Sequence, residues 1–80
     1  MKKLKKHLAK NNYEYIVKKD EVIIYHDDLI VKIWYEQEFK EFFILTFNNE
    51  QSVLIDNYTN AYYKKNVKKT IKQLNKLVAV

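Results

Sequence analysis

The chain has 80 residues, a formal net charge of +5, and no Gly, Pro or Cys. Without Gly it has no phosphate-binding P-loop, dinucleotide fingerprint or nucleophile elbow, because each needs Gly where the backbone approaches a ligand or takes a positive φ. Without Cys it has no thiolate nucleophile and no Cys-ligated zinc. The length predicts one domain, residues 1–80, and the 48% hydrophobic content predicts a folded core.

Charge is distributed unevenly along the chain. Residues 1–12 and 57–80 carry only Lys among their charged residues, whereas residues 13–56 hold all ten acidic residues and four Lys. The net charge of +5 therefore hides an acidic middle between two basic ends. The chain is also rich in Lys, Asn, Ile, Tyr and Phe, whose codons are AT-rich, so part of the Lys excess reflects an AT-rich genome. This bias and the short length suggest an accessory gene of a phage or mobile element.

The spacing of apolar residues predicts the first elements of the fold. Leu4 and Leu8 lie one helical turn apart among lysines, and Asn11-Asn12 is a suitable helix end because Asn tolerates the left-handed conformation. From residue 13 to residue 56 the chain has strand-like spacing of Ile, Val, Tyr and Phe. We expect five short strands here, separated by hairpin turns at Lys19-Asp20, Asp27-Asp28, Glu36-Gln37-Glu38 and Asn48-Asn49.

The last segment returns to helical spacing. Its apolar stripe steps by three or four residues, with a cap expected at Asp56, Asn57 or Thr59. The members of the stripe are Tyr63, Val67, Ile71, Leu74 and Val78. The predicted fold is therefore α+β, in the order α-β-β-β-β-β-α: an antiparallel meander of four to five strands with the N-terminal and C-terminal helices packed on one face.

The expected turns also fix which residues share a face of the sheet. One face is almost entirely aliphatic and is expected to be covered by the two helices. Its predicted cross-strand pairs are Ile24 with Val31, Val22 with Ile33, Ile44 with Val53, and Phe42 with Ile55, joined by Tyr15 and Val17.

The opposite face is the leading candidate for function because it is aromatic yet carries charges. Trp and Tyr ringed by polar groups resemble a protein-interface hot spot, and we expect the group to exceed the apolar area that a monomer usually exposes. The candidate residues are Tyr25, Ile30, Lys32, Trp34, Phe39, Glu41 and Phe43. The alternatives are burial of this face by the last helix or by a curled sheet, and self-association into a homo-oligomer.

Nucleic-acid binding is the competing hypothesis for a chain with a pI near 9.3. The acidic residues near Trp34 would repel phosphates from the aromatic strands, which leaves the lysines of the last helix as the contact. These are Lys64, Lys65, Lys68, Lys69, Lys72 and Lys76. The alternative is a solvated helix face.

The order helix, antiparallel strands, helix with early Lys pairs resembles a double-stranded-RNA-binding domain, and small RNA-cutting toxins of that fold open similarly. The loop of those toxins contains Gly, which this chain lacks, and their histidine at the start of the second strand is replaced by Val22 and Ile23. His26 lies at the end of that strand instead. The likeness is therefore one of element order, and it implies duplex RNA as a ligand of the lysines.

Catalytic and metal-binding patterns are weak. His26-Asp27-Asp28 brings an imidazole near two carboxylates, but the same residues form the turn that the predicted register requires. His7 has no metal partner at helical spacing, and Ser52 is the only Ser. We therefore expect no enzyme activity, metal, cofactor or small-molecule substrate.

The sequence gives no sign of a membrane protein. No apolar run approaches the roughly 20 residues that a bilayer requires, no signal-peptide pattern is present, and Leu4 and Leu8 alone would insert little into a membrane surface. The sequence therefore predicts a small, non-catalytic regulatory or inhibitory module in the cytoplasm of a bacterial or host cell, with a protein as its partner.

Overall fold

The fold is a single five-stranded antiparallel sheet with helices at both ends of the chain, as seen in a computed structural model that describes residues 1–79. The sheet order follows the chain, β1-β2-β3-β4-β5. The elements are α1 (Lys2–Lys10), β1 (Glu14–Lys18), β2 (Glu21–His26), β3 (Leu29–Glu36), β4 (Glu41–Phe47), α2 (Glu50–Leu54), β5 (Asn60–Lys64) and α3 (Val67–Val78). The predicted α+β class with N-terminal and C-terminal helices is confirmed.

The main core lies between one face of the sheet and the helices α1 and α3. Leu4 and Leu8 of α1 and Leu74 of α3 are fully buried against this face. The strands contribute an almost wholly aliphatic surface, consisting of Val22, Ile24, Val31, Ile33, Phe42 and Ile44. We refer to α1 and α3 together as the helix layer. Among residues 1–79, no helix has the length and apolar content needed to cross a bilayer.

The register of the first three strands is as predicted. Ile24 pairs with Val31 and Val22 with Ile33, while the turn at Lys19-Asp20 brings Val17 opposite Val22. Because the chain has no Gly, other residues occupy the left-handed positions of the loops. The residues with positive φ are Asn12, Lys19, Asp27, Lys40 and Asp56.

The prediction for residues 50–64 is wrong. We expected a strand directly after Asn48-Asn49 that would pair Val53 with Ile44 and Ile55 with Phe42. This segment instead forms α2, and the fifth strand comes later, pairing Tyr62 with Ile44. The chain therefore has an additional short helix.

Two asparagine helix caps explain why α2 replaces the expected strand and why α3 begins later than predicted. The Asn49 side chain accepts a hydrogen bond from the Ser52 backbone N–H at 2.8 Å, which starts α2 where we expected a hairpin. The Asn66 side chain accepts from the Lys69 N–H at 2.9 Å, so α3 begins at Val67. The predicted caps Asp56, Asn57 and Thr59 all precede β5 and do not start α3.

Thr59 instead fixes where β5 begins. Its hydroxyl lies 2.7 Å from the hydroxyl of Thr46, and its backbone N–H donates to the Thr46 carbonyl at 2.7 Å. Thr46 is buried, so these contacts hold the start of β5 against β4. Tyr63 consequently lies on the sheet and not on the last helix.

Candidate interaction face

The second face of the sheet is covered at one end only. There α2 packs against a small cluster in which Ile23, Ile30, Leu45 and Phe47 are buried, with Val53 of α2 against them. Two long helices on one side of the sheet and one short helix on the other cannot cover both faces. The other end of the second face is consequently open.

Four aromatic rings form the open end. The ring centroids of Trp34 and Phe43 are 5.4 Å apart, and Phe39 stacks on Phe43 at 5.9 Å. Tyr63 meets Phe43 edge-on. We call Trp34, Phe39, Phe43 and Tyr63 the open aromatic cluster. Three of its members lie in one row across β3, β4 and β5, and Phe39 reaches the row from the β3–β4 turn.

The outer rings of the open aromatic cluster are well exposed. Phe39 is 62% exposed and Tyr63 is 53% exposed, while Trp34 and Phe43 are partly buried. Exposing large aromatic rings in a group is unfavourable, because apolar surface is more stable out of water. Such a group is typical of a binding surface.

Opposite charges surround the cluster. Lys32 Nζ lies 3.6 Å from Glu21 Oε2 and 5.6 Å from the centroid of the Trp34 ring. On the other side, Lys65 Nζ lies 3.5 Å from Glu41 Oε1. The Trp34 indole N–H donates to Glu36 Oε1 at 3.3 Å, which orients the ring. The rim is thus polar and of mixed sign, as in protein–protein interfaces.

A shallow groove adjoins the cluster on the side of the β1–β2 turn. It has a volume of about 690 Å³, and Trp34 forms one wall. The remaining lining comes from Lys18, Lys19, Asp20, Glu21 and Lys32. The open shape of the groove and its mixed apolar and charged lining suit a segment of a partner chain better than a small molecule, since small-molecule sites are usually more enclosed.

The predicted site residues are divided between the two ends of this face. Lys32, Trp34, Phe39, Glu41 and Phe43 lie together in or beside the open aromatic cluster. Two others lie at the covered end: Ile30 is buried, and Tyr25 packs against the cluster beneath α2. Ile30 is therefore not available to a partner as a surface residue.

Sequence reasoning missed Tyr63 as a member of the face. Its spacing of four residues from Val67 made it appear to belong to a helical stripe. The Tyr62-Tyr63 pair before Asn66 was the available signal, because adjacent aromatic residues favour strands and Asn favours a helix cap.

Two tyrosines have raised pKa values. Burial raises the pKa of Tyr25, and the nearby carboxylates of Glu50 and Glu14 raise it further. Burial also raises the pKa of Tyr13, whose ring centroid lies 6.0 Å from that of His7 and 6.5 Å from that of His26. Both tyrosines are away from the open aromatic cluster, so these shifts concern stability and not the candidate site.

The lysines predicted for nucleic-acid binding do not all lie on the last helix. Lys64 belongs to β5, and Lys65 lies in the following loop with Glu41. The other four, Lys68, Lys69, Lys72 and Lys76, are exposed on α3. Because α1 packs beside α3, its own lysines extend the same basic surface.

His26 occupies the end of β2, and Asp27 follows it in the turn with a φ of 52°. His26 Nε2 lies 3.7 Å from Asp27 Oδ2, and both side chains face solvent at least in part. Across residues 1–79, no three His, Asp or Glu side chains are close enough together to hold a metal ion.

Comparisons of the chain with protein-family models, with curated proteins and with solved structures found no match. The site is therefore interpreted from its own chemistry. It offers exposed aromatic rings, a groove beside Trp34 and a rim of both charges.

Proposed function

We propose that this protein is a small regulatory or inhibitory module that binds another protein through the open aromatic cluster. The observation that carries the proposal is the exposure of Phe39 and Tyr63, which both pack against Phe43. Interfaces concentrate their binding energy in such aromatic centres surrounded by polar groups.

The surroundings of the cluster define the chemistry of the partner. The apolar centre requires an aromatic or long aliphatic side chain, which fits beside Trp34 in the groove. Glu36, the last residue of β3, accepts a hydrogen bond from Trp34, and Glu38 follows in the turn beside Phe39. We therefore propose a partner segment that combines an apolar side chain with a neighbouring Lys or Arg.

Composition supports the setting of this function. The bias toward amino acids with AT-rich codons favours a phage or mobile-element gene whose product acts on a protein of the host cytoplasm. We propose a host protein as the target, which is what an inhibitory module requires and a structural protein does not.

Selection from a random peptide library tests the proposal and its partner chemistry together. We expect enriched peptides to contain an aromatic or aliphatic residue next to Lys or Arg. Trp34 is the only Trp in the chain, so binding of these peptides should shift its fluorescence to shorter wavelength. Phe39→Ser and Tyr63→Ser should each weaken binding by about 2 kcal/mol, roughly 30-fold.

Leu54 and Ile55 provide matched controls. They are 83% and 67% exposed at the end of α2, away from the open aromatic cluster. Leu54→Ser and Ile55→Ser should leave peptide binding unchanged. The proposal is overturned if these variants lose binding as strongly as Tyr63→Ser, or if peptide binding leaves Trp34 fluorescence unchanged.

A second candidate function is binding of duplex nucleic acid by the helix layer. The supporting observation is that α1 and α3 pack side by side and carry exposed lysines without any acidic residue. These lysines are Lys2, Lys3, Lys6, Lys10, Lys68, Lys69, Lys72 and Lys76. Neither helix carries Phe, Tyr or Trp for base stacking, so the contact would be with the backbone and independent of sequence.

Two variants of equal net charge distinguish duplex binding by the helix layer from attraction that any protein of this net positive charge would show. One replaces helix-layer lysines by Gln, at Lys6, Lys10, Lys68 and Lys72. The other replaces lysines outside the helix layer by Gln, at Lys18, Lys19, Lys32 and Lys40. Binding to a labelled duplex should fall steeply with salt and be lost only in the first variant. Equal losses in both variants, or no binding at low salt, would refute it.

A further inference from the structure

The strand β1 is an outer edge of the sheet that is not protected. Within residues 1–79 it pairs with β2 alone. Ile16 and Val17 point to opposite faces, and each is nearly half exposed, at 42% and 44%. Edge strands are usually protected by Pro, bulges, inward-pointing charges or a row of charged side chains. In β1 neither Pro nor a bulge is present, and the charged residues, Glu14 and Lys18, lie only at its two ends.

The turn after β1 determines which backbone groups point outward. Lys19-Asp20 is a two-residue turn, so the flanking pair, Lys18 and Glu21, exchanges hydrogen bonds. Because such pairs alternate along an antiparallel ladder, Ile16 also points its N–H and C=O toward β2. Tyr15 and Val17 therefore present their N–H and C=O groups at the open edge.

We propose that a second copy of this chain pairs with β1, antiparallel and centred on Ile16. In this register the backbone of Tyr15 in one copy exchanges two hydrogen bonds with that of Val17 in the other. By symmetry, Val17 of the first copy exchanges two more with Tyr15 of the second. Ile16 faces Ile16 of the second copy. Glu14 faces Lys18 at both ends, so opposite charges meet twice and apolar residues meet on both faces of the sheet.

Other symmetric registers bring fewer complementary side chains to face each other. Centring the pair on Tyr15 places Glu14 opposite Ile16 and leaves Lys18 without a carboxylate. Centring it on Val17 places Lys18 opposite Ile16. Only the register centred on Ile16 pairs all five residues of β1 with complementary partners.

The other edge of the sheet lacks this complementarity. In β5 the same operation, centred on Tyr62, places Asn60 opposite Lys64. No opposite charges meet there. We therefore assign the dimer to β1, which gives a continuous sheet of two copies. Tyr63 of the open aromatic cluster then lies on the strand farthest from the contact. Lys18 is shared, because it lies in the contact and also lines the groove beside Trp34.

Charge reversal tests the register. Glu14→Lys leaves two positive side chains along the edge, and Lys18→Glu leaves two negative ones, so each variant alone should be a monomer by sedimentation. When the two variants are mixed, every facing pair is of opposite charge, and a dimer should form. Glu38→Lys and Lys76→Glu are controls that change the net charge equally at exposed sites away from β1 and should leave the wild-type dimer intact.

Cross-linking tests the centre of the register, because the chain has no Cys of its own. Ile16→Cys should form a covalent dimer under mild oxidation, since facing residues of a pair without hydrogen bonds lie about 4.5 Å apart between Cα atoms. Val17→Cys should not, because its facing residue is Tyr15. The proposal is overturned if the wild type stays monomeric up to about 1 mM, if the mixed charge variants do not associate, or if Val17→Cys cross-links as readily as Ile16→Cys.

Discussion

Tyr63 meets Phe43 edge-on across β4 and β5, with the ring centroids 4.7 Å apart and an interplanar angle of 77°. The pair joins the last strand to the open aromatic cluster. It exists because Asn66 delays the start of α3 until after β5. A helix cap therefore helps to determine which residues the second face of the sheet presents.

We expect Tyr63→Ala to weaken partner binding more than it lowers the free energy of unfolding. The ring is about half exposed, so its removal should cost about 1 kcal/mol of unfolding free energy, mainly from the edge-to-face contact. A double-mutant cycle with Phe43→Ala, measured by urea unfolding, should give a coupling energy of about 1 kcal/mol. A coupling energy near zero would show that the two rings do not stabilise each other.

The Asn66 cap gives a prediction about stability alone. Asn66→Ala removes the acceptor for the Lys69 N–H and should lower the unfolding free energy by about 1 kcal/mol. Asn75→Ala is the matched control, because Asn75 is exposed within the same helix and does not cap its start. Chemical unfolding of both variants should show the loss for Asn66→Ala only, and equal losses would contradict the capping role.

The turn between β3 and β4 is a place where Gly should stabilise the protein. Lys40 has a φ of 53°, a conformation in which the Cβ atom of most residues is crowded. Lys40→Gly should raise the unfolding free energy by about 0.5–1 kcal/mol after the entropy of Gly in the unfolded chain is included.

Lys72→Gly is the contrasting change, because Lys72 lies exposed in the middle of α3. It should destabilise the protein by about 1 kcal/mol. The thermal unfolding midpoint should therefore rise in Lys40→Gly and fall in Lys72→Gly. A lower midpoint in Lys40→Gly would show that the positive φ of Lys40 does not destabilise the protein.

Alkaline pH should weaken the fold through Tyr25. Burial, followed by the carboxylates of Glu50 and Glu14, raises the pKa of Tyr25 above its unfolded value near 10. A raised pKa means that the folded state holds its proton longer. The stabilising contribution is therefore complete below pH 10 or so and is lost as pH rises through the folded value.

Urea unfolding between about pH 9 and 11 measures this effect. Tyr25→Phe should flatten the decline in stability, although Tyr13, whose pKa is also raised, should leave part of it. Glu50→Gln should flatten it less, because burial is the larger cause for Tyr25. A decline that is unchanged in Tyr25→Phe would contradict the assignment.

The strands and their register up to residue 36 could be predicted because their turns are short and polar. A two-residue turn such as Asp27-Asp28 fixes every residue pair between the two strands that it joins. Because side chains alternate along a strand, Val22 and Ile24 then lie on one face of the sheet and Tyr25 lies on the other. The burial of Leu4 and Leu8 followed in the same way from helical spacing. Local patterns were sufficient where a two-residue turn joins consecutive strands. The next turn was expected at Glu36-Gln37-Glu38, but Glu36 pairs with Glu41, so the turn spans residues 37–40 and carries Phe39.

The segment between β4 and α3 could not be predicted in this way. Val53 and Ile55 have strand-like spacing, and Tyr63 and Val67 have helical spacing, so local periodicity supported the wrong elements. The competing interactions were the Asn49 cap and the contact of Thr59 with Thr46, which lies 13 residues earlier. The open aromatic cluster gained Tyr63 through that tertiary contact, which no local window contains.

The placement of α1 and α3 on one side of the sheet has a practical consequence for immobilising the protein. Met1, just before α1, and Val78, at the end of α3, both pack against the main core, so the helix layer begins and ends on the side opposite the open aromatic cluster. A tag or surface linker at either end will leave the aromatic rings directed into solution. The same attachment will turn the lysines of the helix layer toward the support. Binding to these lysines therefore has to be measured with the protein attached at a different site from the one used for the open aromatic cluster.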